Sequence, residues 1–272
     1  MNITFSIIMF ILGACLGSFL CCQARRLAFK NQKPKSNNHK IIRLKKRSIC
    51  LQCGKQLKWY DNIPIISWVV LKGKCRKCGK KIGLAEILSE IGLALAFTGL
   101  STTINITFAS PLEWAIFICT VLLTICLTFL AIYDGITGKL PTLFLIISII
   151  LSAILLAIKI WYELSLIGFT PQTVVYPVVS ALILGGLYLL LYLVSKGKWV
   201  GDGDWMLGLA IGLALSNPWL ALITLFLSNF MACIVMAPLV KNLKTKKIHF
   251  GPFMVIAFVI VVIFSPFFLS VL

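Results

Sequence analysis

Acidic residues are scarce in this chain: Asp and Glu together number eight among 272 residues, and all charged residues make up 12%. Hydrophobic residues make up 60%. Such a low charge content with so much apolar surface excludes an ordinary soluble domain, in which charged residues make up about 25%. The composition therefore predicts an integral membrane protein.

Positive charge is also missing before the first apolar run, residues 3–22; Arg25 and Arg26 come only after it. A cleavable secretory signal carries its positive charge on the N-terminal side of the apolar segment. We therefore expect residues 3–22 to stay in the protein as a membrane-spanning helix.

Long apolar runs recur along the rest of the sequence. A run of about 18 or more apolar residues is long enough to cross a bilayer as a helix. The runs predict an all-α polytopic membrane protein with about eight transmembrane helices, at about 3–22, 86–108, 112–133, 140–161, 173–194, 205–217, 219–240 and 251–271. We expect three parts: 1–22 as the first helix, 23–85 as a basic loop, and 86–272 as a seven-helix core.

Lysine and arginine are distributed unevenly between the two sides that eight spans would create. The loops on one side hold 25 of the 26, and only Lys159 lies towards the other side. The positive-inside rule places the basic loops in the cytoplasm. The net charge of +18 is then mainly a topology signal, with attraction to anionic lipid headgroups in addition. Nucleic-acid binding is an alternative interpretation of the basic loop, but we expect no nucleic-acid partner.

Two aspartates stand at the predicted cytoplasmic ends of spans: Asp134 after the third span, and Asp204 before the sixth. A carboxylate at such a place is costly and often marks a functional site. Two carboxylates that share a proton can activate water and protonate a leaving group, as in aspartic proteases. The alternative is two independent, solvated acids at the membrane boundary. Asp202, two residues before Asp204, competes for the second position.

Four cysteines in the basic loop form two CxxC pairs, Cys50/Cys53 and Cys75/Cys78, and each pair is followed by a glycine. Four thiolates at this spacing are typical of a tetrahedral zinc site. Two disulfides are not expected in the reducing cytoplasm. The pattern predicts structural zinc, because four cysteine ligands leave no open position on the metal. The other six cysteines lie in or beside spans and are interpreted as packing residues.

Five segments in this order resemble the prepilin leader peptidase (type IV prepilin peptidase) family. They are Gly13–Leu20 (GACLGSFL), Cys50–Cys78, Asp134–Pro141, Gly201–Asp204 (GDGD) and Phe250–Phe253 (FGPF). The fourth segment matches the GxGD motif, which by resemblance makes Asp204 rather than Asp202 the partner of Asp134. Departures from the family pattern include Leu51 in place of proline in the first CxxC pair.

The resemblance implies an aspartic endopeptidase in the bacterial plasma membrane, with its active site at the cytoplasmic face. Its substrates would be prepilins or pseudopilins, whose basic leader it removes. Many members also methylate the new N-terminus with S-adenosylmethionine. The sequence contains no glycine-rich nucleotide-binding motif, so no residue is assigned to that cofactor. Two other functions remain open: a transporter using the two aspartates as a proton or cation relay, and a non-enzymatic scaffold with a zinc module.

Overall fold

The computed structural model describes residues 3–31, 48–50, 53–103, 110–197, 200–240 and 249–271. Within these ranges the chain is helical, and the only β-pairings are two isolated bridges. The helices are α1 Ile3–Asn31, α2 Ile66–Val70, α3 Leu84–Thr103, α4 Pro111–Thr137, α5 Thr142–Leu166, α6 Pro171–Ala181, α7 Leu187–Ser195, α8 Asp204–Leu215, α9 Pro218–Val240, α10 Gly251–Ile263 and α11 Ser265–Val271. A π-helical segment, Leu182–Gly186, joins α6 to α7.

Each of the eight predicted apolar runs contains helix, so the all-α membrane class is confirmed. Six helical segments among the described residues are long and apolar enough to cross a bilayer: Ile3–Lys30, Leu84–Thr102, Pro111–Thr137, Thr142–Leu166, Pro171–Ser195 and Pro218–Val235. The apolar helices α8 and α10 have only 12 and 13 residues. The count of eight crossings therefore stays a prediction.

The chain divides into two compact units, Met1–Thr98 and Gly99–Leu272. The first contains α1, the cysteine-containing loop with α2, and most of α3; the second contains the helices from α4 onwards. The three-part division expected from the sequence was drawn from composition and stays a prediction.

In the first unit, α1 and α3 approach closely at Gly13 and Gly17, which form a GxxxG pair on α1. A Cβ atom on Gly13 would lie 2.6 Å from the carbonyl oxygen of Leu93, and one on Gly17 would lie 2.8 Å from the carbonyl carbon of Ser89. Small residues of this kind let two membrane helices bring their backbones together. The glycine pair is therefore used for packing inside the chain.

Gly17→Ala is expected to destabilise this unit by about 1–3 kcal/mol, the usual cost of forcing extra volume into a packed contact. The added methyl group meets backbone atoms of Ser89 and Glu90, which have no side-chain freedom to give way. Gly92→Ala is the matched control, because a Cβ there would meet no atom beyond its own helix backbone within 4 Å. Thermal unfolding in detergent measures both. Equal midpoints for the two variants would contradict the close approach.

The short helix α8 lies at the centre of the second unit and contacts helices on several sides, including α5, α6, α7 and α10. Two glycines on α8 allow the approach: a Cβ on Gly208 would lie 2.8 Å from the carbonyl oxygen of Leu184, and one on Gly212 would lie 2.7 Å from that of Ser180. The Ser180 hydroxyl donates a hydrogen bond to the Gly212 carbonyl at 2.7 Å. The helix that carries Asp204 at its start is thus held by the packed core.

Candidate active site and cysteine module

Asp134 lies in the last turn of α4 and is buried, with 5% of its surface exposed. The helix ends at Gly138, which has a left-handed conformation and donates its N–H to the Asp134 carbonyl at 2.7 Å. The carboxylate itself accepts a hydrogen bond at Oδ2 from the backbone N–H of Gly251, at 3.1 Å. The start of α10, 117 residues further along the chain, therefore holds this side chain in place.

Asp204 is the first residue of α8 and is also buried, with 8% exposed. Its Oδ2 accepts a hydrogen bond from the backbone N–H of Gly201, at 2.9 Å. A carboxylate at a helix N-terminus is further stabilised by the partial positive charge of the helix dipole. Asp202 is exposed, so it does not share the buried position of Asp204.

The two buried carboxyl groups are close enough for the charge of Asp134 to act on Asp204. Each has its Oδ2 bonded to a backbone N–H, from Gly251 for Asp134 and from Gly201 for Asp204. This arrangement restricts rotation of each carboxyl group. Neither of these two bonds uses an Oδ1 atom.

The GxGD segment also packs against the residues that follow Asp134. A Cβ atom on Gly203 would lie 2.8 Å from the Cβ of Leu140 and 3.1 Å from the Cδ1 of Leu145. Glycine is therefore required at this position if the loop before α8 is to lie against the turn between α4 and α5. This contact gives a physical reason for the second glycine of the motif.

Two further side chains border the aspartates. Nδ1 of His249 lies 3.9 Å from Oδ1 of Asp134, although its side chain is 44% exposed. No motif in the sequence predicts that His249 lies beside Asp134. The buried ring of Tyr188 packs against Phe250, with centroids 5.8 Å apart. The hydroxyl group of Tyr188 interacts electrostatically with Asp204.

The FGPF segment was the signal that could have linked α10 to the site, because it contains Gly251. In the sequence this segment indicates only the family resemblance, and it does not predict the hydrogen bond to Asp134. His39, the other histidine, lies outside the described residues.

The cysteine module, residues 48–82 as far as they are described, contains two loops of the same geometry. In the first, the Cys50 N–H donates to Lys55 O at 2.8 Å and the Gly54 N–H donates to Cys50 O at 2.9 Å. In the second, Cys75 pairs with Lys80 and Gly79 with Cys75 at the same distances. Gly54 and Gly79 have φ values of +66° and +65°, which favour glycine.

The four cysteines come together as predicted, and their sulfur atoms all lie within 4.8 Å of one another. Sγ of Cys50 and Sγ of Cys78 are 4.0 Å apart. Tetrahedral zinc with Zn–S bonds of about 2.3 Å requires sulfurs about 3.8 Å apart, so the four residues fit zinc after a small contraction. Backbone N–H groups of Cys78 and Lys77 help to lower the pKa of the Cys75 thiol to about 6, which favours the thiolate that a metal requires.

A family model described as the bacterial peptidase A24 N-terminal domain matches residues 11–104. The prepilin leader peptidase/N-methyltransferase of Dichelobacter nodosus is 30% identical over 210 residues, which cover 77% of this chain and 68% of that protein. The chain belongs to the prepilin leader peptidase/N-methyltransferase family.

One relative matches nearly the whole length of the chain. The relative from Pseudomonas putida is 27% identical over 266 residues, covering 91% of this chain and 86% of that protein. The relative from Myxococcus xanthus is 38% identical over 93 residues, but the match spans only 25% of its length. No solved structure matches this member of the family. The resemblance expected from the sequence is confirmed, and the relatives' names give the expected enzyme class.

Proposed function

We propose that this family member is an aspartic endopeptidase that removes the leader peptide of prepilins or pseudopilins at the cytoplasmic face of the bacterial plasma membrane. Asp134 and Asp204 are the catalytic pair. The observation that carries the proposal is that two buried carboxyl groups from distant parts of the chain interact electrostatically, each with one oxygen held by a backbone N–H.

The chemistry follows from a pair that shares one proton. The ionised carboxylate takes a proton from a water molecule, and the resulting oxygen attacks the scissile carbonyl carbon. The protonated carboxyl group gives its proton to the leaving amine nitrogen as the C–N bond breaks. The two carboxyl groups titrate as a pair, so the base and acid roles belong to the pair before substrate binds.

Other acids of the basic loop and its flanking helix already have structural partners. Glu86 forms an ion pair with Arg25 of α1. Asp61 accepts a hydrogen bond from Arg76 at 3.0 Å. Because these carboxylates already pair with arginines of the first unit, we do not assign them to binding the basic leader.

Zinc, if bound by Cys50, Cys53, Cys75 and Cys78, would link the two loops of the cysteine module and take no part in the reaction. Four thiolates occupy every position of a tetrahedral ion. The residues of this chain that would hold the metal are therefore distinct from those proposed to cleave the substrate.

Methylation of the new N-terminus is proposed on the names of the relatives, which include N-methyltransferase. S-adenosylmethionine would supply the methyl group. One cavity of the second unit, lined by residues including Thr120, Lys159 and Phe258, has a volume of about 130 Å³. Small-molecule sites usually have about 300 Å³ or more, so this cavity does not fit the cofactor. We derive no methyl-transfer step.

Cleavage of a co-expressed prepilin, read by mass spectrometry of the product's N-terminus, tests the proposal. We expect a product that begins directly after the leader, and a methylated product if the second activity is present. An intact substrate, in membranes where the protein is folded and abundant, would contradict the peptidase. It would favour the scaffold, for which only the cysteine module matters.

A proton or cation relay is the second candidate, because both aspartates are buried in membrane helices or at their ends. Relays use acids or broken helices near the middle of the membrane. Asp134 and Asp204 instead lie at a helix end and a helix start. Their position favours the peptidase.

Gly251→Ala is expected to lower the rate of leader cleavage, because a Cβ there would lie 2.9 Å from Oδ2 of Asp134 and would push the carboxyl group aside. A misplacement of about 1 Å in an active site can lower a rate by about 10²-fold. Gly135→Ala is the matched control, since its Cβ would meet only Pro252, at 3.9 Å. Cleavage kinetics at equal protein levels compare the two. Identical rates would show that the Gly251 contact does not position Asp134.

A further inference from the structure

The short helix α2 in the first unit exposes its apolar side. Ile66, Val69 and Val70 are 61%, 60% and 68% exposed, and their spacing places them on one face of the helix. The neighbouring Trp68 is turned the other way: a Cβ on Gly73 would lie 2.9 Å from its ring. The apolar face of α2 is thus outermost, the reverse of what a helix surrounded by water would show.

The start of α2 is fixed to α3 by a buried carboxylate. The backbone N–H of Ile65 donates a hydrogen bond to Oε2 of Glu90 at 2.7 Å, and Glu90 is only 7% exposed. Ile65 itself is in a γ-turn with φ +62° and ψ −54°, closed by the Ile66 N–H on Pro64 O at 2.6 Å. This conformation is rare and strained, and the bond to Glu90 helps to hold it.

The position of Glu90 along α3 gives the depth of α2. The span Leu84–Thr102 has 19 residues, which at 1.5 Å each extend about 28 Å and only just cross the hydrocarbon core. Glu90 is six residues inside the start of α3, or about 9 Å along its axis. The beginning of α2 therefore lies beside the membrane span and not beyond its end.

Charge and aromatic residues around α2 fit the same location. Exposed lysines stand on both sides of the helix, Lys58 before it and Lys72 and Lys74 after it. Trp59, which precedes the helix, is 79% exposed. Lysine is attracted to anionic headgroups, and tryptophan is enriched at the membrane interface. An apolar helix face flanked by such residues is typical of a segment lying in that interface.

We propose that α2 is an interfacial anchor: Ile66, Val69 and Val70 lie at the boundary between the headgroups and the acyl chains of an anionic phospholipid membrane. The cysteine module is thereby attached to the membrane surface through α2 as well as through its two flanking helices. The proposal concerns the first unit alone and does not depend on peptidase activity.

Photocrosslinking of the full chain tests the anchor. The photoreactive residue p-benzoylphenylalanine replaces Val69 in one protein and Val70 in a second, so that one failure to fold does not decide the result. Lys55, exposed and polar in the same module, is the matched control position. Each protein is reconstituted in nanodiscs of phosphatidylethanolamine and phosphatidylglycerol, illuminated, and analysed by mass spectrometry.

Phospholipid adducts are expected at Val69 and Val70 and are expected to be absent at Lys55. Adducts at Val69 and Val70 with protein, from another part of the chain or a second copy, would overturn the proposal, because a protein surface would then cover the face. Absence of any adduct there, or equal lipid labelling at Lys55, would overturn it as well. Zinc content and elution volume, compared with wild type, verify that the tested proteins are folded.

Discussion

Asp134→Asn and Asp204→Asn are each expected to abolish detectable leader cleavage. Asparagine keeps the shape of the side chain, and its carbonyl oxygen can still accept the hydrogen bond that Gly251 or Gly201 donates. The amide cannot take up or release the shared proton. Removing one proton-transfer group alone typically lowers a rate by about 10²–10⁴-fold, and the same group also positions the attacking water.

Asp202→Asn is the matched control for this pair, because Asp202 stands two residues from Asp204 but is exposed. It is expected to cleave at the wild-type rate. Co-expression with a prepilin, gel separation of precursor and product, and thermal unfolding of the purified variants give the comparison. Retention of cleavage by Asp134→Asn or Asp204→Asn would remove the aspartic mechanism and return the two acids to a structural or relay role.

Cys53→Ser is expected to remove zinc from the protein and to loosen the cysteine module. Structural zinc contributes apparent binding free energies of about 10–16 kcal/mol in small modules, and most of that depends on a complete set of ligands. Arg76, in the second loop, also donates a hydrogen bond to Asp61, which follows the first loop. Zinc content by elemental mass spectrometry and limited proteolysis across residues 48–82 measure the two effects.

Cys15→Ser controls for the loss of a thiol as such, since Cys15 lies in α1 and is not one of the four clustered cysteines. It is expected to keep zinc and protease resistance. The Cys53→Ser protein is expected to be obtained in lower yield, while the molecules that remain folded cleave their substrate. A stable, zinc-free variant without any cleavage would instead give the metal a direct part in the reaction.

The helices could be predicted from the sequence because membrane spans are defined by local composition. Even so, α1 continues through Arg25 and Arg26 to Asn31, since a helix can extend beyond its apolar part and pair its charges there. The length of α8 was also hard to predict. Its 12 residues are fewer than a span needs, and its place in the core depends on glycines that match other helices.

Residue types and motif spacing were enough to predict which side chains belong to the candidate site. The four cysteines cluster as the sequence predicts. The pairing of Asp134 with Asp204 in catalysis stays a prediction. The donor to Asp134 comes from 117 residues away, and no local pattern indicates that Gly251 rather than another backbone group would donate. The same holds for Glu90 and Ile65: a hydrogen bond between a side chain and a distant backbone atom has no signature in the sequence.

The groups that hold the two aspartates belong to the main chain. Gly251 and Gly201 act through their N–H, an atom that every residue except proline possesses, so a substitution removes it only by moving the backbone. Exposed positions of the loops around the pair can therefore change their side chains while the acids keep their orientation, whereas Gly203 and Gly251 cannot, because a Cβ there would meet Leu140 or Asp134. A library that randomises exposed positions such as Asp202, leaving the backbone path intact, offers a route to altered substrate preference without loss of the reactive pair.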